Sequence, residues 1–215
     1  MKYRITLKKL LLYTNKLLWH KFWTFYFCCK YGIIWRGITH DLSKFLPSEF
    51  IEGVRYYTPG RSSYEVCQEV NGYSKAYVKH INRNPHHSLH WGYPKFDGTI
   101  VHTCMPYKDT LEMFCNYLAT GRVYYGKKEL YEKENEWWQS QTERRNHMHP
   151  IQGMFLDICF SALTSNEEVN KSRLKCLYNT VSYMYNSGLL NENHHHRKRY
   201  RKPITPVNTI TNEEE

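Results

Sequence analysis

The chain has 215 residues, 41% of them apolar and 16% aromatic, with a formal charge of +10. That length suits one domain of ordinary size with a tail, or at most two small domains, and the apolar share supports a core without a membrane component. The positive balance favours polyanionic company such as nucleic acid, nucleotides or an anionic surface, although a solvated basic face gives the same sum.

The first segment, about residues 4–30, reads as a helix. Leu7, Leu10, Leu11, Leu17 and Leu18 recur at steps of three and four, while Lys8, Lys9 and Lys16 take other faces. His20 and Thr24 then share one helical face. Lys16, His20, Lys21 and Lys30 interrupt the apolar run, so a transmembrane helix and a signal peptide are not expected and the address reads as cytoplasmic. Peripheral membrane contact by this basic first helix is the alternative. Gly32 ends the segment, and a short helix from about Ile33 carries His40-Asp41 at its C-terminal end.

Pro47-Ser48-Glu49-Phe50 reads as a helix start, with Ser48 as cap or Pro47 in the first turn. Thr58-Pro59-Gly60-Arg61-Ser62-Ser63 reads as a loop. A helix is expected over about 70–81, ending at His80. Asn84-Pro85 then opens a further helix, with His86 and His90 four apart on one face. A loop with a short hairpin around Asp97-Gly98 follows. Pro106 opens a helix bearing Leu111, Phe114, Cys115 and Leu118 on one stripe, and Thr120-Gly121 stops it. Helices over about 127–142, 150–163 and 170–185 complete the pattern. From residue 191 onward the chain is polar and charged, with five Lys or Arg among residues 194–202, and disorder is expected. The fold class is all-α, with a helical domain over 1–190 and a tail over 191–215.

Seven cysteines without a C-x-x-C read as buried or free thiols of a reducing compartment. The informative residues are His20, His40, Asp41, His80, His86 and His87. They come from four segments, as a metal site in a helical bundle requires, where facing helices each project a ligand inward. Imidazole and carboxylate suit a hard or borderline cation. Trp137-Trp138 beside Arg144-Arg145 has the aromatic and cationic mix of a single-strand nucleic-acid surface, though core packing is the favoured role for the tryptophans. Arg122 is a candidate anion clamp or an ordinary helix-end arginine. G-x-x-x-x-G-K, G-x-G-x-x-G, H-E-x-x-H and G-x-S-x-G are absent, and their classes lose support.

His20, then His40-Asp41-Leu42-Ser43-Lys44-Phe45 with Glu49-Phe50, His80, Asn84-Pro85-His86-His87 with Trp91, and Met105-Pro106 leading to Gly121-Arg122 together resemble an uncharacterised phage and bacterial family. That family is distantly similar to the HD-domain superfamily of metal-dependent phosphohydrolases. The resemblance implies an HD-like helical bundle and one or two divalent ions, whether Mn, Zn, Ni, Mg or Fe. His20, His40 and Asp41 would be ligands, and His80 with His86 or His87 would complete that shell or hold a second ion. Metal-activated water would attack a nucleotide or other small phosphoester, with Asp41 and Lys44 in the catalytic machinery and Lys44 on the phosphate. The HD pattern closes with an aspartate on a later helix. Here the matching position is Asn116, a weaker ligand, with Asp109 as a possible substitute. Asn116 therefore motivates an alternative: a non-catalytic protein on a degraded site that engages nucleic acid through its basic tail, or a host protein. Di-iron oxygen chemistry on a histidine-rich site is a third reading of the same resemblance.

Overall fold

Thr6 opens the first helix by accepting the Lys9 backbone N–H on its side chain, and α1 runs from Leu7 to Lys30. Its inward stripe is Tyr13, Leu17, His20, Thr24, Phe27 and Cys28, so the helical period that builds the core also turns His20 inward. Gly32, at φ +76°, reverses the chain into α2, Ile34–Thr39. The two helices approach closely at Gly37, where a Cβ would lie 2.7 Å from that of Cys28. The computed structural model describes residues 3–189. The polar tail expected from residue 191, with its histidine and arginine run, lies outside the described residues.

A 3₁₀ turn at Leu42–Phe45 leads into α3, Pro47–Arg55, with Pro47 in the first turn as expected. The helix expected over 70–81 is present as α5, Lys75–Arg83, and a further helix that was not expected, α4 at Ser63–Asn71, precedes it. Gly72 takes a left-handed conformation at φ +79° after α4, and the Ser74 side chain caps α5 by accepting the Tyr77 N–H, so the boundary falls later than expected. The helix expected at Asn84-Pro85 does not form either. Asn84 ends α5 in extended conformation, and only a 3₁₀ turn, Ser88–Trp91, follows. The hairpin near Asp97-Gly98 is present: β1, Gly92–Pro94, pairs antiparallel with β2, Ile100–His102.

Next comes α6, Tyr107–Tyr125, which passes through Gly121 rather than stopping there. Gly121 is needed for clearance, since a Cβ would collide with the Glu134 carboxyl and with Leu130. The remaining helices are α7 (Leu130–Ser140), α8 (Thr142–Asn146), α9 (Pro150–Thr164) and α10 (Lys171–Asn186). The class is all-α, with one two-stranded hairpin among the described residues.

The core is organised around α6, whose residues are buried on almost every side and which packs on α1 and α7. Phe114 meets Tyr31, Phe155 and Phe160, and Trp138 is fully enclosed beside Phe160. Burying such side chains stabilises the fold by roughly 1.5–3 kcal/mol each. All seven cysteines are free thiols. Among the described residues, no helix is long and apolar enough to cross a membrane.

A smaller cluster of Tyr13, Leu17 and Val54 joins α1 to α3. Tyr13 lies over Gly53, where a Cβ would overlap the phenol ring. The ring is 4% exposed and has little room to move. We expect Gly53→Ala to lower the unfolding free energy by about 1–3 kcal/mol through overpacking. Urea denaturation of the two proteins measures this, and an unchanged midpoint would refute it.

Candidate metal centre

Three devices bring His40 and Asp41 into the interior. Lys21, from α1, donates to the carbonyls of Gly37 at 3.0 Å and His40 at 2.7 Å, and so caps the C-terminal end of α2 with a positive charge. Asp41 itself adopts a left-handed conformation at φ 54° and ψ 21°, which an aspartate tolerates better than most residues. The resulting kink turns two consecutive side chains into one buried space, where His40 is 1% and Asp41 3% exposed.

The Asp41 carboxylate is the meeting point. Its Oδ2 lies 3.2 Å from His40 Nε2 and 3.7 Å from His20 Nε2, and its Oδ1 lies 3.4 Å from Nε2 of both His80 and His86. The far sides of three rings rest on acids. His40 Nδ1 and His86 Nδ1 stand 2.9 and 3.3 Å from Glu112 Oε1, and His80 Nδ1 is 3.0 Å from Glu49 Oε2. An ionised carboxylate only accepts, so these Nδ1 atoms carry the hydrogen and, in a neutral ring, Nε2 presents a lone pair. Lone pairs and a carboxylate then face one another, an arrangement that a cation between them relieves. Carboxylate–histidine pairs of this kind are also what orients metal-ligating histidines.

The acids are themselves held. Arg36 bonds both Glu112, at 3.1 Å, and Asp109. Glu49 is fully buried and accepts from Arg83 at 2.8 Å and from the Ser43 hydroxyl at 3.0 Å. Asn84 donates to Ser43 and to the His80 carbonyl. Near the centre, the buried Nε2 atoms of His40 and His86 and the Asp41 Oδ1 have no hydrogen-bond partner. The Lys44 ammonium is 2.6 Å from Asp41 Oδ2.

Three groups have donor atoms within 4.8 Å of one another: His20, His40 and Asp41; Asp41, His80, His86 and His87; and His40, His86 and Glu112. The donor set is nitrogen and oxygen, suited to a borderline or hard divalent ion. His87 Nε2 is 2.9 Å from His80 Nε2, so those rings share a hydrogen or a cation.

Without a metal the charges are divided unevenly. Burial opposes the His40 imidazolium, but Asp41 and Glu112 outweigh it and push His40 up to about 9. Burial holds His20 and His86 down at about 4 and His87 well below its ordinary range. Burial also opposes ionisation of Glu112 and Asp41. His40 and His86 bring Glu112 to about 2, and His40, Lys44 and His80 hold Asp41 well below the carboxylate range.

The sequence candidates His20, His40, Asp41, His80, His86 and His87 all converge, and Lys44 touches Asp41. Asn116 differs from expectation: it lines a cavity beside the site, and the acid of α6 that reaches the histidines is Glu112, one turn earlier. The i, i+4 spacing of Glu112 and Asn116 was the available signal. Glu49 belonged to the stretches of the resemblance but had no role there, because its partners Ser43, His80 and Arg83 meet it only in the folded chain. Asp109 faces Arg36 rather than the histidines. Arg122 lies over the Trp23 ring at 4.4 Å, not in an anion clamp. Trp138 is core, as favoured, whereas Trp137 lines the cavity.

That cavity has a volume of about 640 Å³. His20, Lys44, His80, His86 and His87 form part of its wall, and Lys16, Arg61 and Arg144 add positive charge elsewhere. Burial and the neighbouring Lys44 lower Lys16 to about 8.

Residues 10–162, from α1 into α9, match the model of a family of unknown function (DUF5662). No curated protein and no solved structure matches the chain.

The buried neutral rings set the pH dependence of the metal-free protein. His20, His86 and His87 bind protons less readily folded than unfolded, where the value is near 6.5. The unfolded chain therefore gains protons first, and stability is lost as pH falls from about 6.5 toward about 4. His40 has the opposite sign: its contribution is complete below 6.5 and is lost as pH rises through about 9. We expect the urea midpoint of chelator-treated protein to peak near neutrality, with His86→Gln flattening the acid limb and His40→Gln the alkaline limb. A midpoint independent of pH from 4 to 9 would contradict this assignment.

Proposed function

We propose that this chain, which belongs to the DUF5662 family, is a metal-dependent phosphohydrolase acting on a nucleotide or other small phosphoester. The observation that carries the reading is the convergence of histidine Nε2 atoms on Asp41, with their Nδ1 atoms backed by Glu112 and Glu49. His20 and His40 stand against one oxygen of Asp41, and His80 and His86 against the other, so these residues would hold one or two divalent ions. A bound divalent ion supplies a Lewis acid for the phosphoryl group and lowers the pKa of its water.

The chain's own groups do the rest. Lys44 and Lys16 line the cavity, where burial first and the Lys44 charge second lower Lys16, and an anionic phosphoryl group between them would offset that repulsion. Lys44 also pairs with Asp41, so it links the phosphate to the metal ligands. Glu112 and Glu49 are positioning residues that fix the histidine rings. A cavity of about 640 Å³ is of the size small-molecule sites occupy. The likeness to the HD-domain superfamily belongs to this proposal, supported by His20 and the consecutive His40-Asp41 on one centre. The non-catalytic alternative drew on Asn116; the acid that α6 does bring to the histidines, Glu112, stands behind the rings at Nδ1 and supports their orientation.

The test is metal content by mass spectrometry on untagged protein, beside His40→Ala and Asp41→Asn. We expect one or two divalent ions per chain, lost in both variants. Glu112→Gln should keep the fold and weaken metal affinity by about 10–100-fold, as loss of a carboxylate behind a ligand does. Wild type that binds no metal even after reconstitution would end the enzyme reading. Iron in place of zinc, manganese or nickel would redirect the assay to oxygen chemistry.

A further inference from the structure

Away from the histidines, the cavity wall contains a carboxyl without a hydrogen-bond or ion-pair partner among the described residues. Glu134, on α7, is 2% exposed and lines the cavity. Among the described residues it has no hydrogen-bond or ion-pair partner. Burial alone raises its carboxyl to about 8, so at neutral pH it is mostly the protonated acid. The fold makes room for it: Gly121 of α6 has no Cβ at the point where one would collide with Glu134 Oε2.

Its surroundings suit a flat heterocycle. Trp137 lies three residues along α7, on the neighbouring face of the helix, and lines the same cavity. Arg144 sits over the Trp137 ring at 5.5 Å, and its buried Nε also lacks a partner. An unpaired buried polar group is costly, and its cost disappears when a ligand supplies the missing bond. The protonated acid offers an O–H donor and a carbonyl acceptor side by side. The edge of a nucleobase offers the matching pair, one acceptor and one N–H donor.

We infer that Glu134 binds the base of a nucleotide, edge to edge, in the arm of the cavity walled by Trp137 and Arg144. This rests on the phosphohydrolase reading only for the other end of the ligand, where Lys16, Lys44 and the metal site take the phosphate. The substrate class is then a nucleotide, and a base-less sugar phosphate is a poor substitute.

Calorimetric titration of the full-length protein as purified tests this, with adenosine 5′-monophosphate, ribose 5-phosphate, inorganic phosphate and adenosine as probes. The variants are Glu134→Gln, which keeps a donor beside an acceptor, and Glu134→Leu, which keeps the shape alone. We expect the nucleotide to bind at least about tenfold tighter than ribose 5-phosphate, a difference of about 1.4 kcal/mol. Glu134→Gln should retain that preference, and Glu134→Leu should abolish it while leaving phosphate binding unchanged. Glu134→Leu should fold at least as stably as wild type, because it removes an unpaired buried polar group.

Equal affinity for nucleotide and sugar phosphate, with phosphate still bound, would overturn the base site and leave the phosphoester reading intact. Loss of the preference in Glu134→Gln as well as in Glu134→Leu would overturn the donor–acceptor pairing. Glu134-dependent binding of adenosine without any binding of phosphate would uphold the base site and overturn the phosphoester reading. No binding of any probe would overturn both.

Discussion

Two acceptors placed face to face repel, and the interior of this protein contains such a confrontation. Four imidazole Nε2 atoms lie within 3.7 Å of a single carboxylate, in a space from which water is largely excluded. Taking up positive charge, as a proton or a metal ion, is the way such a cluster becomes tolerable at low dielectric. The protons held by Lys44 and His40 serve that end in the metal-free molecule. Much of the surrounding construction follows from this constraint: Glu112 and Glu49 set the tautomers, Arg36 and Arg83 hold the acids, and Lys21 holds the backbone that presents the pair.

The site was legible in the sequence because its residues belong to an unusual class for a helical interior. Histidines are uncommon inside helical cores, and six candidate residues from four segments did converge. What stayed hidden was whatever depends on contact between distant segments. Glu112 and His40 are 72 residues apart, and Glu49 and His80 are 31 apart. A glutamate on a helix reads as solvated until a partner is seen. The expected helices erred where one residue's local chemistry overrode periodicity. Gly72 and the Ser74 cap delayed the start of α5, and Asn84 spent its side chain on Ser43 and His80 instead of capping a new helix. Gly121 erred in the other direction: it reads as a stop, but its missing side chain serves a packing need.

The arrangement also separates two tasks within one cavity. In the histidine wall, Glu112 and Glu49 hold the Nδ1 atoms of His40, His86 and His80 and so fix those rings. The wall formed by α7 and α8 contains Glu134, with no hydrogen-bond partner among the described residues, and the unpaired Nε of Arg144. A wall of the first kind holds its geometry whether or not a ligand is present. One of the second kind gains most from a ligand, and so it is where selectivity is easiest to place.

The backbone at Asp41 has a consequence for what mutation can do there. At φ 54° glycine, asparagine and aspartate sit with the least strain. Two of those three remove the negative charge, and glutamate keeps the charge but not the conformation. A change at position 41 therefore gives up either the charge or the backbone geometry that presents it.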